Sequence, residues 1–312
     1  MHIKRRKLSS PAAGWVYCAG LLLLALSLQA TARDSGHPVS MWQLDGHNNR
    51  VYLLGSVHLL RADDHPLPSV IDETYEDAEK VIMELDMDDV DPVEAQSLLT
   101  ELGLIQDDRS LSDLMGPEYA EAAALATSAD IPLSMLVKSE PWLAAITVEQ
   151  LMLSRIGFNP LYGIEHHFME KAEADEKEIL GLETVEEQLR FLDSMSIESQ
   201  RALLLQSLKE SVDIQKIMDE LVDAWRHGDI AFMQDNMLDE MKEYPELYRT
   251  IVVDRNRNWL GKIRELLDDE DDYLIIVGAL HLIGEDGLPA LLAEQGLEVR
   301  QLHQEADTSQ QN

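Results

Sequence analysis

The sequence predicts an α/β fold in which two related βαβ units form a mixed central sheet, with a long helical insertion between them. Three observations predict it. "YLLGSVHLL" (52–60) and "LIIVGALHLI" (274–283) are both apolar runs leading into Gly-x-x-His. Each is followed by a loop with proline, an amphipathic helix and a short strand. Between these two frames, apolar positions recur every three or four residues, the period of a helix with one buried face.

Each element has its own signal. "SMWQLDGHNNRVYLLGSVH" places two apolar runs about a polar turn, Asp45 to Asn49, and reads as a hairpin. Pro66 and Pro68 mark a loop after His58; a helix follows with Val70, Ile71, Tyr75 and Ala78 on one stripe. "KVIMELD" (80–86) is a short buried strand. Asp91 caps a helix opened by Pro92, and Pro117 opens another. "PWLAAITVEQLMLSRIG" is helical and ends at Gly157. "GIEHHFMEKAEADEKE" begins a further helix, "ILGLE" is a strand, and four amphipathic helices follow. Their methionines read as core filler. "YLIIVGALHLIGEDGLPALLAEQGLEVRQL" then repeats the opening frame: Gly55 and His58 fall on Gly278 and His281, and Glu84 falls on Gln301.

The ends carry different signals. "KRRK", an apolar core and "ATA" before Arg33 have the layout of a secretory signal peptide over residues 1–32, with an uncleaved anchor as the alternative. The single cysteine, Cys18, lies inside that segment, so residues 33–305 are expected to form one α/β domain without disulfides. Residues 306–312 read as a disordered tail. Beyond residue 32 there are 21 basic residues against 59 acidic ones. Such a field repels nucleic acid and anionic lipid, which excludes both as partners, and it concentrates cations.

In parallel sheets, ligands bind beyond the carboxyl ends of the strands. Both GxxH histidines lie just past such ends, and Glu84 puts an acid at the end of its strand where an apolar residue is the default. Gly55 and Gly278 allow a sharp turn or a close backbone approach. His58 and His281 are therefore expected to converge as neutral imidazole ligands of one divalent metal, with Glu84 as third ligand or general base. The plainer alternative is that each histidine caps its strand. His166 and Glu170, four apart on a helix, read as surface residues. "DMDDVDPVE" lacks the glycine of a calcium loop and reads as an exposed turn. HExxH, GxSxG, phosphate-loop and dinucleotide motifs are absent.

Taken in order, these blocks resemble the TraB/GumN family over about residues 40–302. The likeness rests on Gly55/His58, Gly278/His281, Glu84, the "G-(I/V)-(D/E)" helix start at Gly163/Glu165, the "LET…Q" block with Glu183/Gln188, and the "RN" pair Arg255/Asn256. The animal Tiki members of that family are described as metal-dependent proteases using the GxxH histidines and a glutamate. Remoter relatives include esterase-like and haem-binding proteins. The resemblance implies a metal-dependent hydrolase, foremost a peptidase, acting on a peptide or protein substrate in the periplasm or outside the cell. Its cofactor would be Mn, Co or Zn. It implies supporting roles for Glu165, Glu183 and Asn256 around the histidines. Arg255 would hold a substrate carboxylate or a developing oxyanion, with a buried Arg255–Glu183 ion pair as the alternative. The competing reading is a non-catalytic protein that binds haem, a metal or a peptide on the same frame.

Overall fold

The structure, a computed structural model, describes residues 36–86 and 90–305. Residues 1–32, read as a signal peptide, and the expected tail at 306–312 lie outside them, as does part of the acidic turn at 86–94. The hairpin is formed by β1 (His37–Asp45) and β2 (Arg50–Ser56), antiparallel with Trp42 opposite Leu53. β3 (Lys80–Leu85), β4 (Ile179–Glu183), β5 (Tyr273–Gly278) and β6 (Val299–Gln304) complete one mixed sheet in the order β4-β3-β5-β2-β1-β6. β4, β3, β5 and β2 run parallel; β1 is antiparallel to both β2 and β6.

The two GxxH strands are immediate neighbours and end level, with Ser56 opposite Gly278. β3 flanks β5 on its other side, with Met83 opposite Ile276. These three strands, with β1, are the interior of the sheet. Val81 to Glu84 are all buried, so both faces of β3 are covered. That is why apolar runs rather than strict alternation mark these strands.

The repeat in the sequence does not become a symmetric pair of neighbours. The helix Ser69–Asp77 carries the chain from β2 past β5 to β3. The helix Leu288–Glu294 carries it from β5 past β2 and β1 to the far edge. The crossovers leave β2 and β5 in opposite directions, and a crevice opens beyond the carboxyl ends of strands where that happens. The positions matched in the sequence are separated by the same fact. Glu84 ends beside β5, whereas Gln301 lies on the β6 edge and donates to the carbonyl of Val39 at 2.9 Å.

The main core surrounds the sheet and includes Trp225, Trp259, Phe158 and Phe168. A second apolar cluster, with Met115, Ala145, Val148, Leu204 and Leu208, holds the inserted helices together. Pro117 sits in a single 3-10 turn, Gly116–Glu118, which leads into the helix Tyr119–Ser128. Two stretches are wound as π-helix, Gln234–Leu238 and Arg249–Val253. The second runs directly into the helix Asp254–Leu266, which supplies Arg255 and Asn256. Among the described residues, no helix is long and apolar enough to cross a membrane.

Candidate functional site

His58 stands two residues beyond β2, with its side chain about half open to solvent (56 %). Its ring is aimed by Glu165, whose Oε1 lies 2.8 Å from Nδ1. Glu165 is in the first turn of the helix Ile164–Asp175, where the helix dipole favours a negative charge. That turn is laced to the first GxxH loop: Asn159 N–H donates to Leu60 O and Ile164 N–H to Val57 O. Gly163 makes the approach possible, because a β-carbon there would run into the carbonyl oxygen of His58. Gly163→Ala is therefore expected to cost more than about 3 kcal/mol in urea unfolding. Parent-like stability would mean that the turn is free to shift.

His281 lies in the 3-10 turn Ala279–Leu282 and is buried, at 4 % exposure. Its tautomer follows from its neighbours. Asn256 Nδ2 donates to the carbonyls of His281 and Asp286, so Asn256 Oδ1 is the acceptor for His281 Nδ1–H at 2.8 Å. The lone pair of Nε2 then faces Arg255, whose Nη1 donates to it at 3.1 Å. Burial, with Arg255 nearby, pushes the imidazole pKa down to about 3, so His281 is neutral.

Arg255 organises the carboxylates. Its Nη2 donates to Glu84 Oε2 and to Glu183 Oε1, each at 2.5 Å, and its Nε donates to Glu183 Oε2. Gln188 Nε2 lies 3.3 Å from both glutamates. Trp259, one turn after Arg255, donates from Nε1 to Glu183, and the guanidinium lies over its ring at 4.7 Å. Glu84 also accepts the Gly278 N–H at 2.7 Å. Burial alone would raise the Glu84 pKa; Arg255, the two histidines and the Gly278 N–H together outweigh it and hold the carboxyl at about 2. Glu183 is pushed up by burial against the pull of Arg255.

These groups meet above Gly278. A β-carbon there would stand 3.4 Å from Glu84 Oε1, 3.5 Å from His58 Nε2 and 3.6 Å from His281 Cδ2. The two rings therefore lie within about 7 Å of each other. Gly55 serves a different end: a β-carbon there would press on the backbone of Ala279 and on Ser40 O, so its absence lets the two GxxH segments pack closely. The expected pair of neutral imidazoles is met at His281 only: Glu165 keeps His58 protonated at neutral pH in the metal-free protein, so His58, His281 and Glu84 would become a donor set for a divalent cation on loss of the His58 Nε2 proton. In this structure the Arg255 guanidinium takes up the His281 lone pair and Glu84 Oε2. Among the described residues, no three His, Cys, Asp or Glu side chains are gathered closely enough to hold an ion.

The structure thus brings His58, His281, Glu84, Arg255, Glu165 and Asn256 together around Gly278. Glu183 takes the alternative place read from the sequence: it orients no histidine, forms the buried ion pair with Arg255 and accepts from Trp259. Gln188 is marked in the sequence only as part of the "LET…Q" block, without a role, and Trp259 is not marked as a site residue; the one signal for Trp259 is its spacing of four from Arg255. His166 differs from expectation. It is half-buried, 3.9 Å from Glu170, and lines a cleft of about 400 Å³ that opens beside His58 and Glu84.

The charge pattern predicts a pH profile for the metal-free protein. Glu165 beside His58 raises the imidazole pKa to about 9. The stability that pair contributes is complete below the unfolded value near 6.5 and is lost as pH rises through about 9. His281 and Glu84 are both depressed, so their contributions are lost as pH falls, from about 6.5 toward 3 and from about 4.5 toward 2. Melting temperature in chelator is expected to peak near neutrality. Glu165→Gln should flatten the alkaline limb alone; an unchanged alkaline limb would contradict the pairing.

With this geometry in hand, the comparisons with known proteins fall into place. The model of the TraB/PrgY/gumN family matches residues 40–301, and the chain belongs to that family. Two relatives, each bearing the description "Uncharacterized protein YbaP", come from Escherichia coli (strain K12) and Shigella flexneri. Each is 24 % identical over 246 residues, covering 78 % of this chain and 88 % of the relative. No solved structure matches.

Proposed function

We propose that the chain is an exported, metal-dependent hydrolase of peptides whose reaction centre is the point above Gly278. The observation that carries this reading is the pair of oriented imidazoles. Glu165 and Asn256 hold the two Nδ1–H groups, so both Nε2 atoms are turned inward where Glu84 also reaches. His58, His281 and Glu84 would hold the ion. Bound there, Mn, Co or Zn would polarise a carbonyl and lower the pKa of water.

The protein's own groups divide the remaining work. A carboxylate held at about 2 is a weak base at neutral pH, which favours Glu84 as a ligand over Glu84 as proton acceptor. Arg255 keeps Glu183 as a partner whichever way Glu84 is engaged, and its guanidinium supplies positive charge to an oxyanion forming near His281. The cleft beside His58 gives a substrate a route to these atoms.

Cleavage of a peptide library tests the reading. Chelator-treated protein is expected to be inactive and to recover with Mn²⁺, Co²⁺ or Zn²⁺, and His281→Ala to stay inactive throughout. No cleavage with any of the three ions, joined to a Soret band in the purified protein, would favour the haem-binding reading instead. Export rests on residues 1–32 alone. The N-terminus of the secreted protein is expected at Arg33, and an intact Met1 chain in the membrane fraction would point to an anchor.

A further inference from the structure

The cleft that opens beside His58 offers a substrate more than a route to the reacting atoms. Its walls are Met83, Leu85, Pro160, Leu161 and Met169, and its polar groups are His58, Glu84, Glu165, His166 and Gln188. Among the described residues, no lysine or arginine lines it. At about 400 Å³ it falls at the small end of ligand sites, which run from about 300 to 1,000 Å³. That is room for an apolar side chain with its adjoining backbone.

Leu161 forms the lip. It is 60 % exposed, and its neighbour Tyr162 is 40 % exposed. A single exposed leucine means little. This one, however, is held out on a braced turn. The Asn159 side chain accepts the Leu161 N–H at 2.9 Å, the Gly163 N–H closes the turn on Pro160 O, and His65 Nε2 contacts Tyr162 O. The turn is tied in addition to the loop that carries His58. Apolar surface is thus presented to solvent by a braced turn on the same cleft that His58 and Glu84 line. The two methionines supply walls that adapt in shape. The cleft's two carboxylates, Glu84 and Glu165, are already engaged by Arg255 and His58, so the surface left for a side chain is chiefly the apolar wall, on which a charged group would be desolvated without a partner.

We infer that this cleft is the recognition subsite for an apolar, non-acidic side chain of a peptide substrate, and that Leu161 determines that preference. The inference rests on the hydrolase reading for the word substrate, but the subsite itself is tested by binding. Capped single-residue amides are suitable probes: acetyl-leucinamide and acetyl-phenylalaninamide against acetyl-glutamate amide. Their binding to the full mature chain is followed by NMR titration in chelator, so that turnover plays no part.

The apolar probes are expected to bind at least about tenfold more tightly than the acidic one, with shifts at Leu161 and Met169. Leu161→Asp is expected to erase that preference while melting as the parent does, because the side chain is already largely exposed. Val93→Asp, at a still more exposed apolar residue (79 %) that does not line the cleft, serves as control and should keep the preference. Equal binding of apolar and acidic probes, or a preference that survives Leu161→Asp, would overturn the inference. A preference that is present and sensitive to Leu161, in a protein that cleaves no peptide with any metal, would leave the subsite standing and sink the hydrolase reading alone.

Discussion

Gly278→Ala is expected to melt within a few degrees of the parent protein and to lose at least about a hundredfold in metal affinity and in peptide cleavage. The backbone at Gly278 has φ −50 and ψ 137, which alanine adopts freely. The added methyl would stand 3.4–3.6 Å from Glu84, His58 and His281, ordinary contact distances that need no repacking. It would nonetheless fill the point on which the three groups converge. A hundredfold loss corresponds to about 2.7 kcal/mol, which the exclusion of one ligand or one water from the site readily supplies. Calorimetric metal titration and thermal melting of the same sample check the prediction. A variant that binds metal and cleaves as the parent does would move the reaction centre elsewhere.

Arg255→Met should act on the fold itself. It leaves Glu84 and Glu183 buried together without the guanidinium that both now share. Removing one partner of a buried pair costs about 3–5 kcal/mol, enough to lower the melting temperature by roughly 10 °C at pH 7 for a domain of this size. The sign of its pH dependence is distinctive. Without Arg255, at least one carboxyl has a folded pKa above its unfolded value. Its destabilisation therefore grows as pH rises through the range between the two values and is relieved below it. The variant should recover relative to the parent near pH 5. A loss of stability independent of pH would show that the packing of Arg255 on Trp259, rather than its charge, is what the fold needs.

What was legible in the sequence was what local pattern encodes. The hairpin from Met41 to Ser56, the strand carrying Glu84, and the two GxxH segments all announce themselves through apolar runs broken by turn residues. Convergence of His58, His281 and Glu84 was also readable, because each sits at the carboxyl end of a strand in a repeated frame. Strand order was not. Nothing local says that β5 lies between β2 and β3, and that insertion is what sets both histidines next to the acid. The repeat itself misled at Gln301, since crossovers running in opposite directions carry equivalent strands to different parts of the sheet. The hold of Asn256 on His281 and of Gln188 on Glu84 spans 25 and 104 residues, beyond any periodicity. The π-helical stretch before Arg255 has no compositional mark. His166 reads as a surface residue because its helix is polar; in the fold the start of that helix borders the cleft.

The central claim is that His58, Glu84 and His281 act as one cation site. It is tested most directly by equilibrium dialysis of Mn²⁺, Co²⁺ and Zn²⁺ against the mature chain and its His58→Ala, Glu84→Gln and His281→Ala variants at neutral pH. One ion per chain is expected for the parent. Each single variant should lose at least about a hundredfold in affinity, and the double variants should lose little more, because the three groups act together. Binding of no ion by the parent, or equal binding by parent and all three variants, would contradict it.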